Sequence, residues 1–137
     1  MTNQALILQA IEARKFAYTP YSHFQVGAAL LAEDGTVYRG CNVENAAYTP
    51  TNCAERTAFF KAVSEGKRRF SVIAIVAAPE GEPLQKTAPC GVCRQVMMEF
   101  CNPETFKIVL ADGPDKEIEL TLKELLPYGF GPDNLGK

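Results

Sequence analysis

No apolar run in this sequence of 137 residues approaches the roughly 20 needed to cross a bilayer. The opening MTNQALILQAIEARK has neither the basic start nor the small-residue cleavage site of a signal peptide, so a cytoplasmic location is expected. An excess of positive charge is missing too. Net charge is −2 and the pI is about 5.4, whereas a polynucleotide binder usually carries a basic face. The one compact basic run, Lys67 to Arg69, follows Gly66, where a helix is expected to end; cations there suit the helix dipole. No internal repeat, low-complexity tract or linker breaks the chain, which argues for one domain over residues 1–137. At 47% hydrophobic and 22% charged residues the composition is ordinary for a globular protein, so disorder is not expected.

Cysteine is what stands out. There are five, at positions 41, 53, 90, 93 and 101. An odd number in a cytoplasmic chain that needs no disulfide staples points to metal binding or catalysis.

Residues 3–17 show helical spacing of Leu6, Ile7, Ala10, Ile11 and Phe16, with Thr2 or Asn3 as cap. Residues 25–32 and 36–41 suit two strands of a hairpin turning at Gly35. Residues 53–65 predict a helix capped by Asn52 and stopped by Gly66. The apolar run 71–78 suits a strand covered on both faces. Residues 90–101 predict a further helix, with Pro89 at or just before its start. Residues 107–111 form another strand. Ile118, Leu120 and Leu122 alternate as in an edge strand, and 123–126 form a helical turn. Strands alternating with helices predict an α/β fold, a three-layer α-β-α arrangement around a mixed five-stranded sheet.

Cys53-Ala54-Glu55 and Cys90-Gly91-Val92-Cys93 would each open a helix. Helix starts carry free N–H groups and the positive end of the dipole, both of which stabilise thiolates. Three converging sulfurs form a zinc site whose fourth position stays open to water, the pattern of a catalytic centre. Zinc lowers that water's pKa, and Glu55, two residues from Cys53, can take its proton. Three thiolates leave zinc with a net negative charge, which disfavours hydroxide unless it is offset. Arg56, and with less support Arg94, are therefore expected to hydrogen-bond to the sulfurs and tune the site. Two other readings stand beside this one. A Cys-x-x-Cys occurs in redox motifs, although Cys53-Ala-Glu and Pro89 fit that context poorly. A structural zinc would need a fourth ligand, from His23, Cys41 or Cys101; Cys41 and Cys101 are otherwise expected as buried small residues.

With these residues in hand, the chain resembles the small homotetrameric zinc-dependent cytidine deaminases of the cytidine/deoxycytidylate deaminase superfamily. The matching segments are 21–29 (YSHFQVGAA), 40–46 (GCNVENA), 51–58 (TNCAERTA), 89–95 (PCGVCRQ) and 125–132 (LLPYGFGP). The resemblance implies hydrolytic deamination of cytidine and 2′-deoxycytidine in pyrimidine salvage. Zinc would be held by Cys53, Cys90 and Cys93, one ion per subunit, with zinc-activated water attacking C4 and Glu55 shuttling protons. Phe24 would pack against the base, Asn42 and Glu44 would hold ribose hydroxyls, and Ala54 would contact substrate. Tyr48 and Phe130 would enter a neighbouring subunit's pocket in a homotetramer. His23 and Gln25 depart from the family's usual Lys and Pro. Three alternatives are a blasticidin-S-type aminonucleoside deaminase, a polynucleotide-editing deaminase, and a zinc-stabilised binding module without catalysis.

Overall fold

A computed structural model of the chain describes residues 1–113 and 115–137. Five strands form one sheet in the order β2-β1-β3-β4-β5: β1 Phe24–Ala32, β2 Val37–Cys41, β3 Phe70–Pro79, β4 Lys107–Ala111 and β5 Glu117–Thr121. The β3–β4 pair is parallel and the other pairs are antiparallel, so the sheet is mixed. A parallel pair needs a crossover, which helix α3 (Gly91–Phe100) supplies between β3 and β4.

The alternation of side chains along the strands builds the three layers. Ala28, Leu30, Ile73, Ile75, Ile108 and Leu110 face the core shared with α3 and helix α2 (Ala54–Ser64). Their neighbours Ala29, Ala74, Val76, Val109 and Ala111 face helix α1 (Asn3–Arg14) through Leu6, Ile7 and Ala10. The continuous apolar run of β3 is thus explained by burial on both faces. Phe59 of α2 is fully buried beside Phe70, Phe100 and Phe106, with ring centroids 5.1–6.3 Å away. Burying a side chain of that size contributes roughly 1.5–3 kcal/mol.

Two glycines bring the helices close to the sheet. A Cβ on Gly27 of β1 would run into the Ala10 carbonyl of α1, and one on Gly40 of β2 would run into the Ala54 carbonyl of α2 and come within 2.6 Å of the Ala58 nitrogen. The second contact seats the start of α2 directly over β2.

Several boundaries correct the sequence expectations. Helix α1 is capped by Thr2 and ends at Arg14; Phe16, expected on its buried face, is 77% exposed. Asn52 does not cap α2. Its backbone pairs with Val43 and its amide donates to Thr57, so Cys53 takes the cap position. Cys90 likewise caps α3. Leu122 lies beyond the edge strand and opens the short helix α4 (Leu122–Leu125). No helix among the described residues is long and apolar enough to cross a membrane.

Candidate metal centre

Cys53 and Cys90 stand at the N-caps of α2 and α3 in extended conformation, and neither makes a side-chain capping bond. Their sulfurs are 3.7 Å apart, and Cys93 Sγ, one turn into α3, is 3.4 Å from Cys90 Sγ. All three sulfurs lie within 4.8 Å of one another. Tetrahedral zinc with Zn–S bonds of about 2.3 Å separates its sulfurs by roughly 3.8 Å, so the triangle fits one ion. Among the described residues no other His, Cys, Asp or Glu joins this group. The fourth ligand that a structural zinc would need is not supplied by His23, Cys41 or Cys101. Cys41 and Cys101 are half-buried rather than buried. His23 Nδ1 lies 3.7 Å from Glu80 instead.

The charges around the sulfurs are arranged as the thiolate argument requires for one arginine and not for the other. Arg56 Nη2 donates to Cys53 Sγ at 3.3 Å. The proximity of the Cys93 thiol and the Arg56 guanidinium brings the pKa of Cys53 down to about 5 against the opposing effect of burial, while the nearness of Cys53 and burial push Cys93 up. Arg94 corrects the expectation that it also bonds a sulfur. Its Nε donates to the Pro89 carbonyl at 2.8 Å and its Nη1 to the Leu125 carbonyl at 2.7 Å. It ties the segment entering α3 to the end of α4.

Glu55 sits on the first turn of α2, 5% exposed. Burial in this low-polarity setting raises its carboxyl to about 7. It lines a cavity of about 320 Å³ with Cys53, Cys90, Phe24, Asn42 and Glu44. Ala54, fully buried, also lines it. Residues 42–44 run extended, with Val43 bridged to Tyr18 on one side and Asn52 on the other, so Asn42 and Glu44 face one way. A hollow of about 420 Å³ adjoins the cavity and shares Ser22, Glu44 and Thr51 with it; Tyr21 and Tyr48 line its outer part, in edge-to-face contact. A larger hollow of about 620 Å³, between the end of α3 and the tail, includes none of the three sulfurs.

The family model for the cytidine and deoxycytidylate deaminase zinc-binding region matches residues 1–109. The chain belongs to the cytidine and deoxycytidylate deaminase family. It is 53% identical over 135 residues to a cytidine deaminase of Sporosarcina psychrophila, covering 98% of this chain and 96% of that one. It is 52% identical to a cytidine deaminase of Halalkalibacterium halodurans, covering 98% of each. The crystal structure of cytidine deaminase from Burkholderia pseudomallei superposes with a TM-score of 0.86 at 48% identity, covering 95% of this chain and all of that one.

For this deaminase the metal is zinc, which the sulfur triangle fits, and the enzyme is a zinc-dependent hydrolase that takes a nucleoside. One feature of the pocket was not singled out from sequence. Ser22 lines both the cavity and the adjoining hollow. Its place in the segment YSHF was visible, but a serine in a loop carries no signal of what its hydroxyl will meet.

Proposed function

We propose that the chain hydrolyses cytidine and 2′-deoxycytidine to uridine and 2′-deoxyuridine, releasing ammonia, as a step of pyrimidine salvage. The observation that carries this reading is buried Glu55 lining one cavity with Cys53 and Cys90 of the sulfur triangle, an aromatic ring and two sugar-binding candidates. The relatives named above, which are cytidine deaminases, supply the identity of the nucleoside.

Cys53, Cys90 and Cys93 hold the ion. Zinc, when bound, supplies a Lewis acid that brings the pKa of a water towards about 7. Glu55 would take a proton from the attacking water and pass it to N3 of the base as the water oxygen bonds to C4. Glu55 then carries the second proton to the C4 amino group; the C–N bond breaks and ammonia leaves. A carboxyl whose pKa lies near neutrality can both accept and return a proton. Phe24 packs against the pyrimidine, Ala54 closes the cavity at the start of α2, and Asn42 and Glu44 hold ribose hydroxyls. Arg56 draws charge from Cys53 and keeps the thiolate set from becoming too negative.

Among the described residues, no Lys or Arg lines the cavity or the adjoining hollow. That supports a neutral nucleoside over a nucleotide or a polynucleotide, since phosphate has no cation to meet. We further propose a cytoplasmic enzyme, one catalytic domain over residues 1–137, that assembles as a homotetramer with shared sites. Supporting this, Tyr48 and Tyr128 hold positive φ (63° and 58°) while 71% and 106% exposed, and Phe130 is 56% exposed. Strained backbone displaying solvent-facing aromatics is costly unless another surface uses it. Tyr48 and Phe130 are the residues that would reach a neighbouring pocket.

The test follows the absorbance loss of cytidine with zinc-loaded protein. Wild type turns over, and Glu55→Gln keeps its zinc but loses about 10²–10⁴-fold in kcat. Zinc-loaded wild type inactive on cytidine would defeat the reading.

A further inference from the structure

The groups proposed to hold sugar and base are joined through a single hydroxyl. Ser22 Oγ donates to Glu44 Oε2 in a short contact and accepts the Phe24 N–H at 3.0 Å. A carboxylate can only accept and a peptide N–H can only donate. The hydroxyl, with one hydrogen and two lone pairs, is therefore used in one sense only, and no rotation of it satisfies both partners in another way.

The remaining contacts make the link specific. Glu44 Oε1 accepts the backbone N–H groups of Tyr21 at 3.0 Å and Ser22 at 3.1 Å. A carboxylate has about four lone-pair sites, so three are occupied and the one left is on Oε2, beside the Ser22 hydroxyl. The orientation of that hydroxyl thus decides which direction Glu44 offers to a ligand. On the other side, Asn42 Nδ2 donates to the Phe24 carbonyl at 2.8 Å and Asn42 Oδ1 accepts the Val26 N–H at 2.9 Å. The backbone of Phe24 is fastened at its N–H through Ser22 and at its C=O through Asn42.

The strand cannot make the first of these bonds itself. Phe24 is the first residue of β1, and His23 before it takes a left-handed conformation (φ 58°), with its N–H on the Thr19 carbonyl. The chain enters the strand from a tight turn, and Ser22 is the side chain that spans the turn.

We propose that Ser22 is a positioning residue for the reaction: it fixes the Glu44 carboxylate and the Phe24 backbone in one relation, so that holding the sugar sets the plane in which the base lies. It touches no reacting atom. The inference rests on the nucleoside-deaminase reading above.

The experiment compares cytidine with 2′,3′-dideoxycytidine, which lacks the hydroxyls Glu44 would hold, for zinc-loaded wild type, Ser22→Ala and Ser22→Thr. In Ser22→Ala the KM for cytidine rises about 10-fold while kcat stays within about 3-fold, the scale of one charge-assisted hydrogen bond. The ratio of kcat/KM for cytidine over the dideoxy substrate falls by a similar factor, because the dideoxy substrate never used Glu44. Ser22→Thr, which keeps the hydroxyl, restores the ratio. A ratio unchanged in Ser22→Ala, or as low in Ser22→Thr as in Ser22→Ala, overturns the inference while leaving the function intact. Wild type inactive on cytidine overturns both.

Discussion

Arg56 meets the metal centre through one nitrogen and leaves another with none. Nη2 donates to Cys53, and Nε is buried without a hydrogen-bond partner among the described residues. Holding a guanidinium there is justified only if charge at the sulfurs repays its desolvation. Arg56→Gln is therefore expected to retain zinc, measured by metal analysis, and to lose roughly 10–100-fold in turnover, the usual scale for a group supporting a metal ligand. Unaltered turnover would count against charge offset at Cys53. The two arginines also mark what a sequence can show. Arg56 follows Cys53 by three positions, which brings both to one helix face. Arg94 directly follows Cys93, about 100° around the helix from it. The phase difference was legible. The Leu125 carbonyl that receives Arg94 was not, because that contact comes from a distant segment.

At the scale of elements, the centre depends on how closely α2 lies on β2. Gly40 permits that approach, and its missing side chain is part of how Cys53 reaches the other two sulfurs. Gly40→Ala is expected to lower stability by about 1–3 kcal/mol through overpacking against backbone, read from urea unfolding, with weaker zinc retention alongside. An unmoved midpoint and normal zinc content would show that α2 is free to shift. The strands and helices themselves were largely legible: β3 showed as a continuous apolar run that the fold covers on both faces, and α2 and α3 begin at the motif residues. The α1 cap was legible in Thr2, but the α2 cap was misread. Propensity favours Asn52 as the α2 cap, but Asn52 is engaged with Val43 and Thr57, a pairing that only the folded loop creates.

At the scale of the whole molecule, the proposed sharing of sites between subunits rests on the tail. Gln95 holds the Phe130 carbonyl at 2.8 Å, so the backbone is fastened while the ring stays largely exposed. If Phe130 serves a neighbour's pocket, Phe130→Ala and Glu55→Gln damage different subunits of the same site. Co-expressing the two variants is expected to restore part of the activity that each lacks alone, measured as cytidine turnover of the mixed oligomers. Activity no higher than that of the separate variants would mean that each site is complete within one chain. The layered fold was legible from the order of elements. The aromatic tail was legible only as a segment without a place in the core, because hydrophobic pattern reports burial within a chain and says nothing of a second one.

Cys53 and Cys90 occupy helix-start positions where serine, threonine, asparagine or aspartate would ordinarily satisfy a free backbone N–H. Each helix has given up a conventional cap so that its first side chain can face the other helix's first side chain. Selection or engineering for helix stability alone would therefore pull against the chemistry at the very two residues that begin it. Variants made sturdier by that route would be well-folded proteins with no reaction to perform.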